Sequence, residues 1–209
     1  MGKKLFGASA GDGHKNAGPV GAKVIRGGTL IHQNSSVYFR DILTLPFNAQ
    51  SGIVNLNDAL VHAADMPKEV VQQVFVEHGR KAEFQSQYGH LDLNSIRWNK
   101  ESIAGVGLAE SSHFEGFYRW YNVVGKRASL VATEGWSCID RRQTVVEHWK
   151  KHLTWITPPV LIDGALVNRP SRFHLMEGHT RVGLLAGLIE VGIIDGLITH
   201  EVWVGRKHE

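Results

Sequence analysis

Apolar residues recur at helical spacing between Pro67 and Gly79. Val70, Val71, Val74 and Phe75 make one face, with Gln72, Gln73 and Glu77 on the other. Proline at the start and glycine at the end predict a helix bounded by these two residues. A further helical turn is predicted between Arg80 and Tyr88, packed by Phe84 and Tyr88. Before it, Val37 to Leu43 reads as a strand or a short buried segment. Beyond Leu91 the pattern changes to short apolar runs separated by turns. Trp155 to Gly164 holds a strand after a double proline. Phe173 to Glu177 is an apolar strand ending in a carboxylate. Val182 to Val191 is an apolar helix, and His200 to Gly205 a last strand. Strands and helices in this order predict an α/β fold.

Two polar–aromatic stretches interrupt the pattern. Ser112 to Arg127 carries Phe114, Phe117, Tyr118, Trp120 and Tyr121 beside Arg119, Lys126 and Arg127. Phe114, Phe117 (or Tyr118) and Tyr121 share a helical face. This favours a packed helix with a solvated edge over the alternative, a surface that stacks bases and neutralises phosphates. Gly135 to Arg142 precedes a helix marked by Val145, Val146, Trp149 and Leu153. There Asp140 can cap the helix while Arg141 and Arg142 face a ligand, or Asp140 and Arg141 form a surface pair.

The chemistry concentrates at Glu177-Gly178-His179-Thr180-Arg181. A helix start exposes unpaired N–H groups and the positive end of a dipole, which suits an anion. Gly178 permits close approach to the backbone, and Arg181 can grip a phosphate or carboxylate with two donors. The alternative is a strand-to-helix turn whose arginine pairs with Glu177 or a neighbouring carboxylate.

The order strand, turn, strand, box, helix, strand resembles the ParB/sulfiredoxin superfamily. The resemblance rests on Gly178, His179 and Arg181 with Glu177 beside them, and spans roughly Asp140 to Gly205. Leu91 to Trp98 stands where the fold would have its first strand. The resemblance implies a small mixed sheet with surrounding helices over residues 90–206. A mostly helical extension over 31–89 packs on it, after a flexible glycine-rich segment over 1–30. It implies a nucleotide-binding site for ATP or CTP with Mg²⁺. Gly178, His179, Thr180 and Arg181 would hold phosphate, joined by Arg141 and Arg142. Glu177 would act as metal contact or general base, and His179 in phosphate contact or proton transfer. Position 179 is histidine where sulfiredoxin has its cysteine, and no helix-turn-helix follows the box, so neither of those two activities is implied. What remains is a phosphotransferase, NTPase or nuclease. The alternative is a non-catalytic nucleotide-sensing or DNA-associated regulator of a plasmid or phage-conflict system, with DNA or a protein as further partner.

Composition bounds these readings without choosing among them. The chain has 209 residues, 43% hydrophobic and 21% charged, enough apolar material for a core. A net charge of +3 permits nucleic acid without requiring it. A single cysteine, Cys138, excludes an internal disulfide and reads as a small buried residue. No apolar run is long enough to span a membrane, so a cytoplasmic protein is expected. His148 and His152 stand four apart, but Trp149, Lys150 and Lys151 between them favour a solvated basic face over a metal clamp. The glycines from Gly7 to Gly28 lack the Gly-Lys-Ser/Thr of a phosphate loop, so a flexible segment is the favoured reading.

Overall fold

The computed structural model describes residues 36–208. The expected flexible segment over 1–30, with its phosphate-loop alternative, lies outside them. Phe39–Thr44 is a 3-10 turn with Phe39 and Ile42 buried, so the run from Val37 is a buried segment and not a strand. The Asp41 carboxylate accepts from the Tyr38 amide at 2.8 Å and closes that turn on itself. Helix α1 spans Leu56–His62, with the Asn55 side chain accepting from the amides of Asn57 and Asp58. Helix α2, Lys68–Val70, starts after Pro67 and runs directly into a π-helical turn, Val71–Val76. The Glu77 amide there donates to the Gln72 carbonyl, five residues back. Helix α3 spans Ala82–Tyr88.

The sheet has five strands: β1 (Ile96–Ala104), β2 (Ser112–His113), β3 (Val160–Asp163), β4 (Phe173–Glu177) and β5 (Thr199–Lys207). Their order is β1-β5-β3-β4-β2. β1 runs antiparallel to β5, from Ile96 opposite Lys207 to Ala104 opposite Thr199. β3 is parallel to β5 and antiparallel to β4, and β2 lies parallel to β4 at the far edge. The fold is therefore mixed α/β. The first strand starts later than expected, at Ile96. The Asp92 side chain accepts from the Asn94 amide and tightens Leu93–Ser95 into a 3-10 turn.

The remaining helices are α4 (Gly105–Ala109), α5 (Tyr118–Ala128), α6 (Val131–Glu134), α7 (Gln143–His152) and α8 (His179–Glu190). Strand alternation sends successive residues into two cores. Val160, Ile162 and Met176 face Val70, Val74, Phe75 and Tyr88 of the N-terminal helices. Leu161, Leu175, Val202 and Val204 face Val124, Val146, Val182 and Leu185 of α5, α7 and α8. The central strands are thus covered on both sides, which explains their near-continuous apolar runs. Each fully buried Val, Leu or Phe contributes about 1.5–3 kcal/mol. Helices α5 and α8 touch through glycines. A Cβ on Gly187 would collide with the Gly125 carbonyl oxygen. No helix among the described residues is long and apolar enough to cross a membrane.

Candidate functional site at the start of helix α8

β4 ends at Glu177, and Gly178 turns the chain into α8 with φ +105°. That left-handed conformation favours glycine. A Cβ there would also stand 2.6 Å from the Pro159 Cβ. The double proline and the glycine therefore fit one another, and the close approach at Gly178 is to protein. Having no side chain, Gly178 cannot cap the first amides of α8, which leaves the positive end of a twelve-residue helix without a capping side chain.

Arg181, in the first turn of α8, reaches back under the box. Its Nη1 donates to the Thr157 carbonyl at 2.7 Å. Its Nη2 donates to Gln73 Oε1 at 2.8 Å and to Glu177 Oε1 at 3.2 Å. The turn thus contains the Arg181–Glu177 pair foreseen as the alternative to ligand binding. Glu177 is braced on its other side, with His78 Nε2 at 3.3 Å from Oε2. Burial alone would raise the Glu177 pKa. The His78 hydrogen bond and the Arg181 charge outweigh it and hold the carboxyl below its ordinary range. Burial lowers the Arg181 pKa, against the pull of Glu177.

Thr180 is exposed and accepts from Trp120 Nε1 at 3.0 Å, which ties α8 to α5. Across the opening, Arg142 grips Asp140 with two donors, Nε at 3.0 Å and Nη2 at 2.7 Å, and donates its amide to the same carboxylate. This hydrogen bonding depresses the Asp140 pKa. The partner of Asp140 is therefore Arg142 and not Arg141. The amide of the residue two positions on is the one an Asx turn captures. Glu177, Thr180, Arg181, Asp140 and Arg142 together line a cavity of about 340 Å³, closed at its apolar end by Trp149, Trp155 and Leu184. Arg141 is exposed and does not line it.

His179 points elsewhere. Its ring lies 4.3 Å from that of Phe117 and meets His113 edge-on at 5.9 Å. It is 5% exposed, and its Nε2 has no hydrogen-bond partner among the described residues. Burial lowers its pKa to about 4, only partly offset by Glu177, so the ring is neutral near pH 7. His174 is fully buried and hydrogen-bonded to the Tyr88 hydroxyl and to Ser112 Oγ, both at 2.9 Å. Burial raises the pKa of the Cys138 thiol, which donates to the Arg127 carbonyl at 3.5 Å. The His148 and His152 rings are 4.6 Å apart, but no group of three His, Cys, Asp or Glu residues placed to hold a metal occurs among the described residues.

Three participants escaped the sequence reading: Gln73, His78 and Thr157. Gln73 sits on a helix whose periodicity put it on the polar side, yet it is 6% exposed. The π turn brings it inward, where its Nε2 also donates to the Pro158 carbonyl at 3.1 Å. No local signal marks His78. No protein-family model, no curated protein and no solved structure matches the chain.

Proposed function

We propose that the protein binds a nucleoside triphosphate, ATP or CTP with Mg²⁺, with its phosphates at the start of α8. The observation that carries this is the convergence of Thr180, Arg181 and Arg142 on one cavity beside an uncapped helix start. Its volume is at the lower end of small-ligand pockets. The wider reading, a ParB/sulfiredoxin-like fold, is supported by the succession β3, β4, Gly178 turn, α8, β5.

In this reading Arg142 and Arg181 exchange carboxylate partners for phosphate. Asp140 and Glu177, both at the cavity, are then released, and each can offer one carboxylate to a nucleotide-borne Mg²⁺. Mg²⁺ would supply charge neutralisation between the phosphates and those carboxylates. The exchange favours a nucleotide-sensing regulator. The partner swap links the ligand to the strand, the π turn and α8 together. The second reading, a phosphotransferase, NTPase or nuclease, draws on the presence of two carboxylates at the same cavity.

The test is a thermal-shift screen against nucleoside mono-, di- and triphosphates with and without Mg²⁺. A ligand at one hundred times its Kd adds about 2.7 kcal/mol of stability. For a chain of this size that corresponds to a shift of roughly 5–10 °C. No shift with any nucleotide would sink the reading. Mg²⁺-dependent hydrolysis or transfer by a protein that does shift would move it from regulator to enzyme.

A further inference from the structure

Helix α5 carries a surface that the nucleotide reading does not use. Tyr118 is 62% exposed and Trp120 44% exposed, unusual for large aromatic rings. On the helical wheel they flank the solvent face, and Arg119, Asn122, Val123 and Lys126 lie between them. The opposite face, Val124 and Ala128, is buried against α8. Both exposed rings are held in orientation. Tyr118 stacks at 5.9 Å on His113, which stacks at 4.7 Å on Tyr121. Trp120 is pinned at its edge by Thr180, and the Arg127 guanidinium lies 5.3 Å from its ring centroid. Helix α5 holds three cations, Arg119, Lys126 and Arg127, and no carboxylate. Glu115, in the turn before it, is the nearest acid in sequence.

We infer that the exposed face of α5 binds single-stranded nucleic acid. Its bases stack on Tyr118 and Trp120, and its phosphates cross the helix between them at Arg119 and Lys126. Fixed, half-exposed rings suit unpaired bases, because every base offers a π face and the rings are already ordered before binding. A duplex hides those faces, and an apolar peptide would leave the cations without partners. This inference does not rest on nucleotide binding at the α8 cavity.

The experiment is fluorescence anisotropy of a short labelled oligo(dT), and of a duplex of the same length, titrated with the full chain. The single strand is expected to bind more tightly than the duplex. Its log K should fall with log salt at a slope of about −1.4 for two phosphate contacts. Tyr118→Ala and Trp120→Ala should each weaken binding about tenfold. Arg119→Ala and Lys126→Ala should each reduce the slope by about 0.7. Lys126→Glu, fully on the solvent face, should weaken binding with an unchanged melting temperature, so the result does not depend on the aromatic variants folding. Oligo(dT) binding that excess ATP leaves unaltered supports a surface separate from the cavity. The inference is overturned by no binding at low salt, by equal affinity for the duplex, or by affinity that the aromatic and Lys126 variants leave intact.

Discussion

Arg181 donates to Gln73 at 2.8 Å across 108 residues of chain, and so fastens the π turn that follows α2 to the first turn of α8. Removing either partner leaves a part-buried polar group unsatisfied. Hydrogen bonds to charged groups contribute about 1.5–3 kcal/mol. Arg181→Ala should therefore lower stability by roughly 2–3 kcal/mol, since Thr157, Gln73 and Glu177 all lose a donor. Gln73→Leu should cost roughly 1 kcal/mol. The two losses should be sub-additive by about 1 kcal/mol in a double-mutant cycle read from urea midpoints. Strict additivity would deny the brace.

Gly178 answers to Pro159. Gly178→Ala places a Cβ at a left-handed φ and against the proline ring, and should destabilise by about 1–3 kcal/mol. Pro159→Gly in the same chain relieves the collision but leaves the φ strain. The double variant should recover part of the loss in thermal melts. If Gly178→Ala melts with the parent protein, the turn tolerates what its geometry forbids.

Glu177→Gln separates brace from chemistry. The amide keeps the shape but loses the charge facing His78 and Arg181. The variant should melt lower, by the equivalent of about 1–2 kcal/mol for a part-exposed pair. With the repulsion toward phosphate gone and Arg181 freed, its affinity for a nucleoside triphosphate without Mg²⁺ should rise in calorimetry. A variant that is less stable and also binds the metal-free nucleotide more weakly contradicts the partner exchange.

Stability should fall as pH drops from neutrality toward pH 4. His174 and His179 titrate at about 4 in the folded chain, below the ordinary 6.5. The unfolded chain therefore takes up protons first, and the stability present above pH 6.5 is lost between 6.5 and about 4. At about 1.4 kcal/mol per pH unit this amounts to at most roughly 3 kcal/mol for each ring. Glu177, depressed in the fold, contributes above its ordinary value and loses that contribution at lower pH still. His179→Phe, which keeps the packing on Phe117, should flatten the upper part of the decline in urea midpoints taken from pH 7.5 to pH 4.5. An identical decline in the variant would show that the folded chain does not depress the pKa of His179.

The sequence made β3, β4, α8 and β5 legible because each is a short apolar run bounded by Pro, Gly or an acid. The same runs conceal their surroundings. Strands buried on both faces look alike whichever helices cover them, so the division between the two cores was not readable. At the site, the Glu177–Arg181 pair was readable as the alternative to ligand binding at a strand-to-helix turn, and Arg142 was placed beside the box, together with Arg141, only by the family resemblance. Gln73 and His78 were not readable. Their partners are distant in the chain, and the valine pattern of α2 fits a regular helix as well as one with a π turn. His179 misleads for a related reason: the first residue of a helix can present its side chain to the ligand side or to the neighbouring aromatic layer, and spacing alone does not choose. The aromatic run beginning at Phe114 gives a packed helix with a solvated edge, Tyr121 half-buried and Tyr118 and Trp120 facing solvent.

The π turn has a consequence for how this site can come and go. A π turn holds one residue more than the α-helical turn it replaces. Deleting Gln72 would close Val71–Val76 to ordinary pitch while the residues on either side kept their facing, because the residue removed is the extra one. Gln73, which the wide turn brings inward, would then be drawn away from Arg181. A three-base insertion or deletion is thus a second heritable route to creating or abolishing this brace, beside substitution of Gln73 or Arg181 themselves. Among descendants of one gene, helix length at this point would record which of them keep the contact between Gln73 and Arg181.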